Sequence, residues 1–119
     1  MDSHRLVLPE HLNDQGSLFG GYLLKWLDEC AYITANLDFP GHRFVTIALD
    51  NVEFRHPIAC GQVLRFSIHQ HHLRNTSVEY LVEVFGEKAP AADKGVLFAT
   101  KIVFVNLNED GAKTKIARG

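Results

Sequence analysis

The sequence predicts an α+β fold in which one long central helix is wrapped by a curved antiparallel five-stranded sheet. Three observations carry that reading. Leu23, Leu24, Leu27, Ala31, Thr34 and Ala35 recur at three- and four-residue intervals, which gives a helix over residues 20–37 one apolar face. Four later segments, 44–54, 62–73, 77–87 and 96–107, are rich in Val, Ile, Phe and Leu at lengths suited to long strands. The separators between them are mostly short and turn-forming, so successive strands fold back on one another.

Each element has its own warrant. Residues 5–8 read as a short strand stopped by Pro9, and the polar residues 10–17 as a structured loop. Phe39-Pro40-Gly41 ends the helix. His56-Pro57-Ile58-Ala59-Cys60-Gly61 is a turn, Arg74-Asn75-Thr76 a tight hairpin, and residues 88–95 a longer loop containing Pro90. Val78, Tyr80, Val82 and Val84 alternate with Glu79, Leu81, Glu83 and Phe85, so this strand has one apolar face and one mixed face. The helix must bury its apolar stripe, and the concave side of the sheet is the only large surface available to it. The domain is expected to span residues 1–107, with 108–119 a polar tail that frays.

Composition narrows the function classes. A chain of 119 residues, 46% hydrophobic, supports one core rather than two. A net charge of -2 provides no broad basic field, which argues against nucleic acid and against a membrane surface as partners. No apolar run approaches the roughly 20 residues of a membrane-spanning helix. Cys30 and Cys60 could form one bridge on paper, but MDSHRLVLPEHL lacks the basic start and apolar run of a secretory signal. A reduced, cytoplasmic chain is expected, with both thiols as small core residues.

The stretch NDQGSLFGGYLLKWLDEC, residues 13–30, carries the chemistry. A helix starting near Gly20 presents unpaired amides and the positive end of its dipole, and two glycines leave that backbone open to a ligand. An anion or oxyanion site is one reading; a tight turn with close packing is the other. Asp28 shares a helical face with Leu24, Ala31 and Ala35, which places it at the edge of the core, while Glu29 turns to solvent. A carboxylate beside apolar groups needs either a task or a hydrogen-bond partner in a neighbouring loop. Gly20 and Asp28 stand about 12 Å apart along the helix, too far to act on one carbonyl. Antiparallel helices related by a two-fold axis would set Gly20 of one subunit against Asp28 of the other, which predicts a homodimer with two sites at its interface.

N-D-Q-G-S-L-F-G-G, then L-D-E-C-A-Y, V-T-I-A-L-D-N-V-E-F-R-H-P-I-A-C-G and N-T-S-V-E-Y, resembles the acyl-CoA thioesterase branch of the hotdog-fold superfamily over residues 8–105. The resemblance implies hydrolysis of an acyl-CoA thioester without metal or redox cofactor. Amides of Gly20 and Gly21 would polarise the thioester carbonyl, and Asp28 of the partner would act as general base or as nucleophile. Ser17 stands where similar enzymes often carry Asn or Asp to hold the water or carbonyl, and Asn13, whose amide sits on the same loop, is a second candidate for positioning water; capping of the loop is the other reading for both. Arg55, His56, Arg74, Asn75, Thr76 and Ser77 match places where the family contacts CoA. The acyl tunnel would be lined by the helix and facing strands, including Phe19, Trp26 and Tyr32. Assembly beyond the dimer, to tetramer or hexamer, stays open.

Two other readings remain: a hotdog dehydratase pairing His11 with a helix acid, and a non-catalytic acyl-CoA-binding protein. No G-x-S-x-G elbow supports a hydrolase triad. His69, His71 and His72 form HQHH in a strand, with His69 and His71 on one face, but no Cys or carboxylate at zinc spacing accompanies them. No metal site is expected.

Overall fold

The computed structural model describes residues 1–50, 56–87 and 96–117. Helix α1 covers Gly20–Asp38, and five strands follow chain order as β1 (Asp2–Leu6), β2 (Phe44–Leu49), β3 (Val63–Leu73), β4 (Ser77–Gly86) and β5 (Val96–Asn106). One antiparallel sheet has the order β1-β3-β4-β5-β2. The expected strand residues 51–54 and the loop 88–95 lie outside the described residues.

The core forms where two periodicities meet. Leu23, Leu27, Cys30, Ala31, Thr34 and Ala35 are buried on one side of α1, as the three- and four-residue spacing requires. Val78, Tyr80, Val82 and Val84 oppose them from β4, joined by Leu64, Phe66 and Ile68 of β3 and Ile102 and Phe104 of β5. The intervening residues of β4 are half-buried on the other face. One helix thus lies on one face of an antiparallel sheet.

Strand β1 begins earlier than the sequence suggested. Met1 donates its ammonium to the Ile68 carbonyl, and the register runs from Asp2 opposite Ser67 to Leu6 opposite Val63. Backbone pairing, rather than an apolar pattern, defines this polar edge strand. At the other edge, among the described residues, β2 pairs only with β5 and leaves Val45, Ile47 and Leu49 exposed. An open apolar edge of that kind is usually covered in the working assembly.

The tail is not frayed over residues 108–117. Ile116 is buried at 1% exposure, and its amide donates to the Asn75 carbonyl. The buried side chain of Asn106 joins three segments: Oδ1 accepts from the Arg43 amide, and Nδ2 donates to the carbonyls of Thr114 and Lys115. Both cysteines are free; Cys30 sits in the core, but Cys60, expected there too, is exposed at the turn before β3. Among the described residues, no helix is long and apolar enough to cross a membrane.

Candidate active site

The loop before α1 is a compact turn built by Asn13. Its Oδ1 accepts from the amides of Gln15 and Ser17, its own amide donates to the Ser17 carbonyl, and Gly16 supplies the positive φ of 79° that closes the turn. Leu18 then donates to the Ile58 carbonyl, which fastens the loop to the turn after β2. These connections enclose a cavity of about 340 Å³, lined among others by Asn13, Ser17, Gly20, His56 and Pro57. Four of the residues singled out in the sequence therefore share one cavity, with Oδ1 of Asn13 committed to the loop.

Phe19 is the N-cap of α1, and its side chain gives no capping hydrogen bond. The amides of Tyr22 and Leu23 both donate to the Phe19 carbonyl, which leaves Gly20 and Gly21 as the helix amides without such a partner. The packing reading of the glycine pair also has support: a Cβ on Gly21 would meet the Phe19 ring at 2.5 Å.

Asp28 differs from expectation. It is exposed in the single chain rather than set against the core, and its partner is in a strand rather than a loop: Oδ1 accepts from the Thr46 hydroxyl at 2.7 Å. Thr46 was not singled out from the sequence, though period two places it on the face of buried Phe44, toward the helix. Glu29 is exposed as expected and binds Arg5 at 3.2 Å. Asp28 is not among the residues lining the Gly20 cavity.

The remaining sequence candidates fall elsewhere. Arg74 and Asn75 line a second cavity of about 590 Å³ with Lys115 and Ala117. Thr76 and Ser77 hold that hairpin through their carbonyls, which accept from the amides of Asn106 and Arg74. Leu73 and Ala117 also border a cavity with Asp38, so the hairpin belongs to the C-terminal end of α1. The helix separates it from Gly20 by about 27 Å. Arg55 lies outside the described residues. Lys115 is a cation that the sequence reading passed over because it sits in the tail.

Of the tunnel candidates, Trp26 is buried, whereas Phe19 and Tyr32 are exposed. His11 lies edge-on to Tyr22 and Trp26 at 4.8 Å, with Nδ1 accepting from the Leu8 amide. Trp26 and Asp28 project about 160° apart around the helix, so His11 and Asp28 sit on opposite sides of it.

The histidine run has a partner that sequence spacing did not reveal. A register shift between Gln70 and His72 sets His72 opposite Glu79, and His71 Nε2 lies 3.9 Å from the Glu79 carboxylate.

Comparison with known proteins agrees with this architecture. The profile of the thioesterase superfamily matches residues 15–91. Mouse acyl-coenzyme A thioesterase 11 is 37% identical over 83 residues, which is 70% of this chain and 14% of that protein. Protein VdlD of Helicobacter pylori is 34% identical over 82 residues, 69% of this chain and 47% of that protein. The chain thus spans less than half the length of these curated relatives. Among solved structures, an acyl-CoA hydrolase from Bacillus cereus superposes with a TM-score of 0.87 at 27% identity, covering 98% of this chain and 71% of that one. A hexameric hotdog-fold thioesterase of Campylobacter jejuni gives 0.81 at 26% identity, covering 97% and 88%. The helix and five-stranded antiparallel sheet described above are the hotdog fold.

Proposed function

The chain belongs to the thioesterase superfamily, and from that premise we propose that it hydrolyses an acyl-CoA thioester to the free acid and CoA, at a site shared between two copies of itself. One observation carries the reading. The bare amide of Gly20, with that of Gly21 next along the helix, stands at a cavity that Asp28 does not line, while Asp28 is held by Thr46 beside the open edge of the sheet. Antiparallel helices across a two-fold axis would bring the amides of one chain to the carboxylate of the other. The names of the relatives support the substrate class, and the hexameric state of a similar structure supports assembly of dimers into a hexamer.

In this reading the thioester oxygen accepts from Gly20, with Gly21 beside it, where the helix dipole favours the charge that develops. Asp28 of the partner either takes a proton from water as it attacks the carbonyl carbon, or attacks that carbon itself to form an anhydride that water opens. In both routes the C–S bond breaks and CoA leaves as the thiolate. Thr46 holds one carboxylate oxygen and leaves the other for the reaction. Asn13 and Ser17 orient the water and the carbonyl from the loop.

The same symmetry gives the distant hairpin a place. With Gly20 facing Asp28, the partner's helix ends about 15 Å beyond Gly20 along the axis, and the partner's hairpin comes with it. Arg74, Asn75, Thr76 and Ser77, joined by Lys115, would then receive the phosphates of a CoA whose pantetheine arm spans the gap. His56 stands nearer the thioester, in the cavity with Gly20.

Free-thiol release from a panel of acyl-CoAs tests the activity, and Asp28→Asn tests the site. Turnover of the variant should fall by on the order of 10²-fold, with the fold and CoA affinity retained; undiminished turnover would remove Asp28 from the mechanism. A binding protein would release no thiol, and a dehydratase would change enoyl absorbance instead.

A further inference from the structure

The face of the sheet turned away from α1 carries a group of side chains that hydrolysis does not use. Glu79 alternates with the core residues Val78 and Tyr80 and so points to that face. In a regular strand His71 and His72 would point to opposite faces, because the side-chain period is two. The irregularity between Gln70 and His72 breaks that rule: two residues of β3 oppose one of β4, and both imidazoles come to the same carboxylate. Their ring centroids are 4.4 Å apart, and the ligand atoms of His71, His72 and Glu79 all lie within 4.8 Å of one another.

We propose that His71, His72 and Glu79 form a binding site for a divalent transition-metal ion of the zinc class. Two imidazole nitrogens and one carboxylate oxygen are ligands that zinc and its neighbours accept, at about 2.0–2.2 Å each. Ligand atoms around such an ion stand roughly 3.4 Å apart. The three groups therefore need to contract by little more than 1 Å. Both histidines are exposed, and their rotation supplies that movement. Glu79 is more confined: its side chain is 14% exposed, and a carboxylate so covered benefits from a cation. Neighbouring positions of a rigid two-strand ladder fix all three Cα atoms, so little ordering remains to be done on binding. The fourth position of the ion would face solvent and hold water. The nearby His69 is engaged with the Ser67 hydroxyl at 2.8 Å and stands outside the triad.

The site is independent of the hydrolase reading, and its test is a binding measurement. Tag-free protein, cleared of metal by a chelator, is titrated with Zn²⁺ by calorimetry. The expected result is one saturable ion per chain and a raised melting temperature, with affinity weakened at least about tenfold in each of His71→Gln, His72→Gln and Glu79→Gln. Metal-free melting curves of the variants identify any that fails to fold, and the others then decide. No saturable binding, or binding unchanged in every folded variant, overturns the proposal. Cys60 is exposed and could capture zinc through sulfur. X-ray absorption of the loaded protein separates the cases: nitrogen and oxygen neighbours alone support the triad, and a sulfur neighbour refutes it.

Discussion

The hydroxyl of Thr46 on the outermost strand donates to Asp28 in the middle of α1, at 2.7 Å. A single hydrogen bond thus sets the direction of a carboxylate that the chain otherwise leaves exposed. Replacing Thr46 by Val keeps the shape of the side chain and removes the donor. We expect kcat to fall about 10- to 100-fold, as it does when a reacting group is misplaced by a fraction of an ångström, with KM little changed. Steady-state thiol release decides it, and wild-type kinetics would leave the Thr46 contact without a catalytic meaning.

The shared site can be tested by complementation. Pro is tolerated at the first position of a helix, so Gly20→Pro removes one amide donor while sparing α1. Neither Gly20→Pro nor Asp28→Asn protein should be active alone. In a mixed dimer one of the two sites regains both an intact Gly20 and an intact Asp28. Random co-assembly should therefore restore about a quarter of wild-type activity. An inactive mixture in which mixed dimers are demonstrated by mass would rule out the arrangement across the two-fold axis.

Tyr80 is fully buried and donates to Asp38 Oδ2 at 2.8 Å. Burial, then the hydrogen bond to Asp38 and the charge of that carboxylate, push its phenol well above the usual tyrosine range. The folded protein consequently keeps the proton longer than the unfolded chain does. Stability from this source is complete below the unfolded value near pH 10 and declines as the pH rises beyond it. Tyr80→Phe should cost about 1 kcal/mol at pH 8 and should flatten the alkaline loss. Urea unfolding at pH 8 and at pH 10.5 measures both, and equal slopes in the two proteins would contradict the account.

The docked tail makes a prediction about stability. Ile116 enters the core cluster at the end of the chain. Ile116→Ala should destabilise by roughly 2–4 kcal/mol, the usual cost of emptying a buried aliphatic site. A protein ending at Leu107 should lose at least as much. Unchanged denaturation midpoints in both would mean that the tail rests on the body without contributing to it.

Features set by one periodicity were legible in the sequence, and features set by pairing were not. Helix α1 ends one residue from its expected limit because its apolar stripe is continuous, and the core face of β4 follows from strict alternation. Strand β1 was displaced because polar residues held by backbone register have no such pattern. Asn13, Ser17, Gly20 and His56 were singled out separately, and they do line one cavity. That Arg74 and Gly20 lie at opposite ends of the molecule could not be read, since nothing local encodes the distance between a hairpin and a helix terminus. Glu79 was invisible as a neighbour of His71 and His72 for a related reason: a bulge changes the facing of every residue after it. The tail looked polar, and its one anchoring isoleucine was too little signal to set against ten charged or small companions.

The amide of Asn106 has consequences for which sequences this protein could tolerate. It offers an acceptor to one strand's approach and two donors to a returning tail. Aspartate has the same outline but presents oxygen to oxygen, and leucine abandons three backbone groups at once. A relative lacking the tail is freed from that demand, so residue choice here and the length of the C-terminus are expected to change together or not at all.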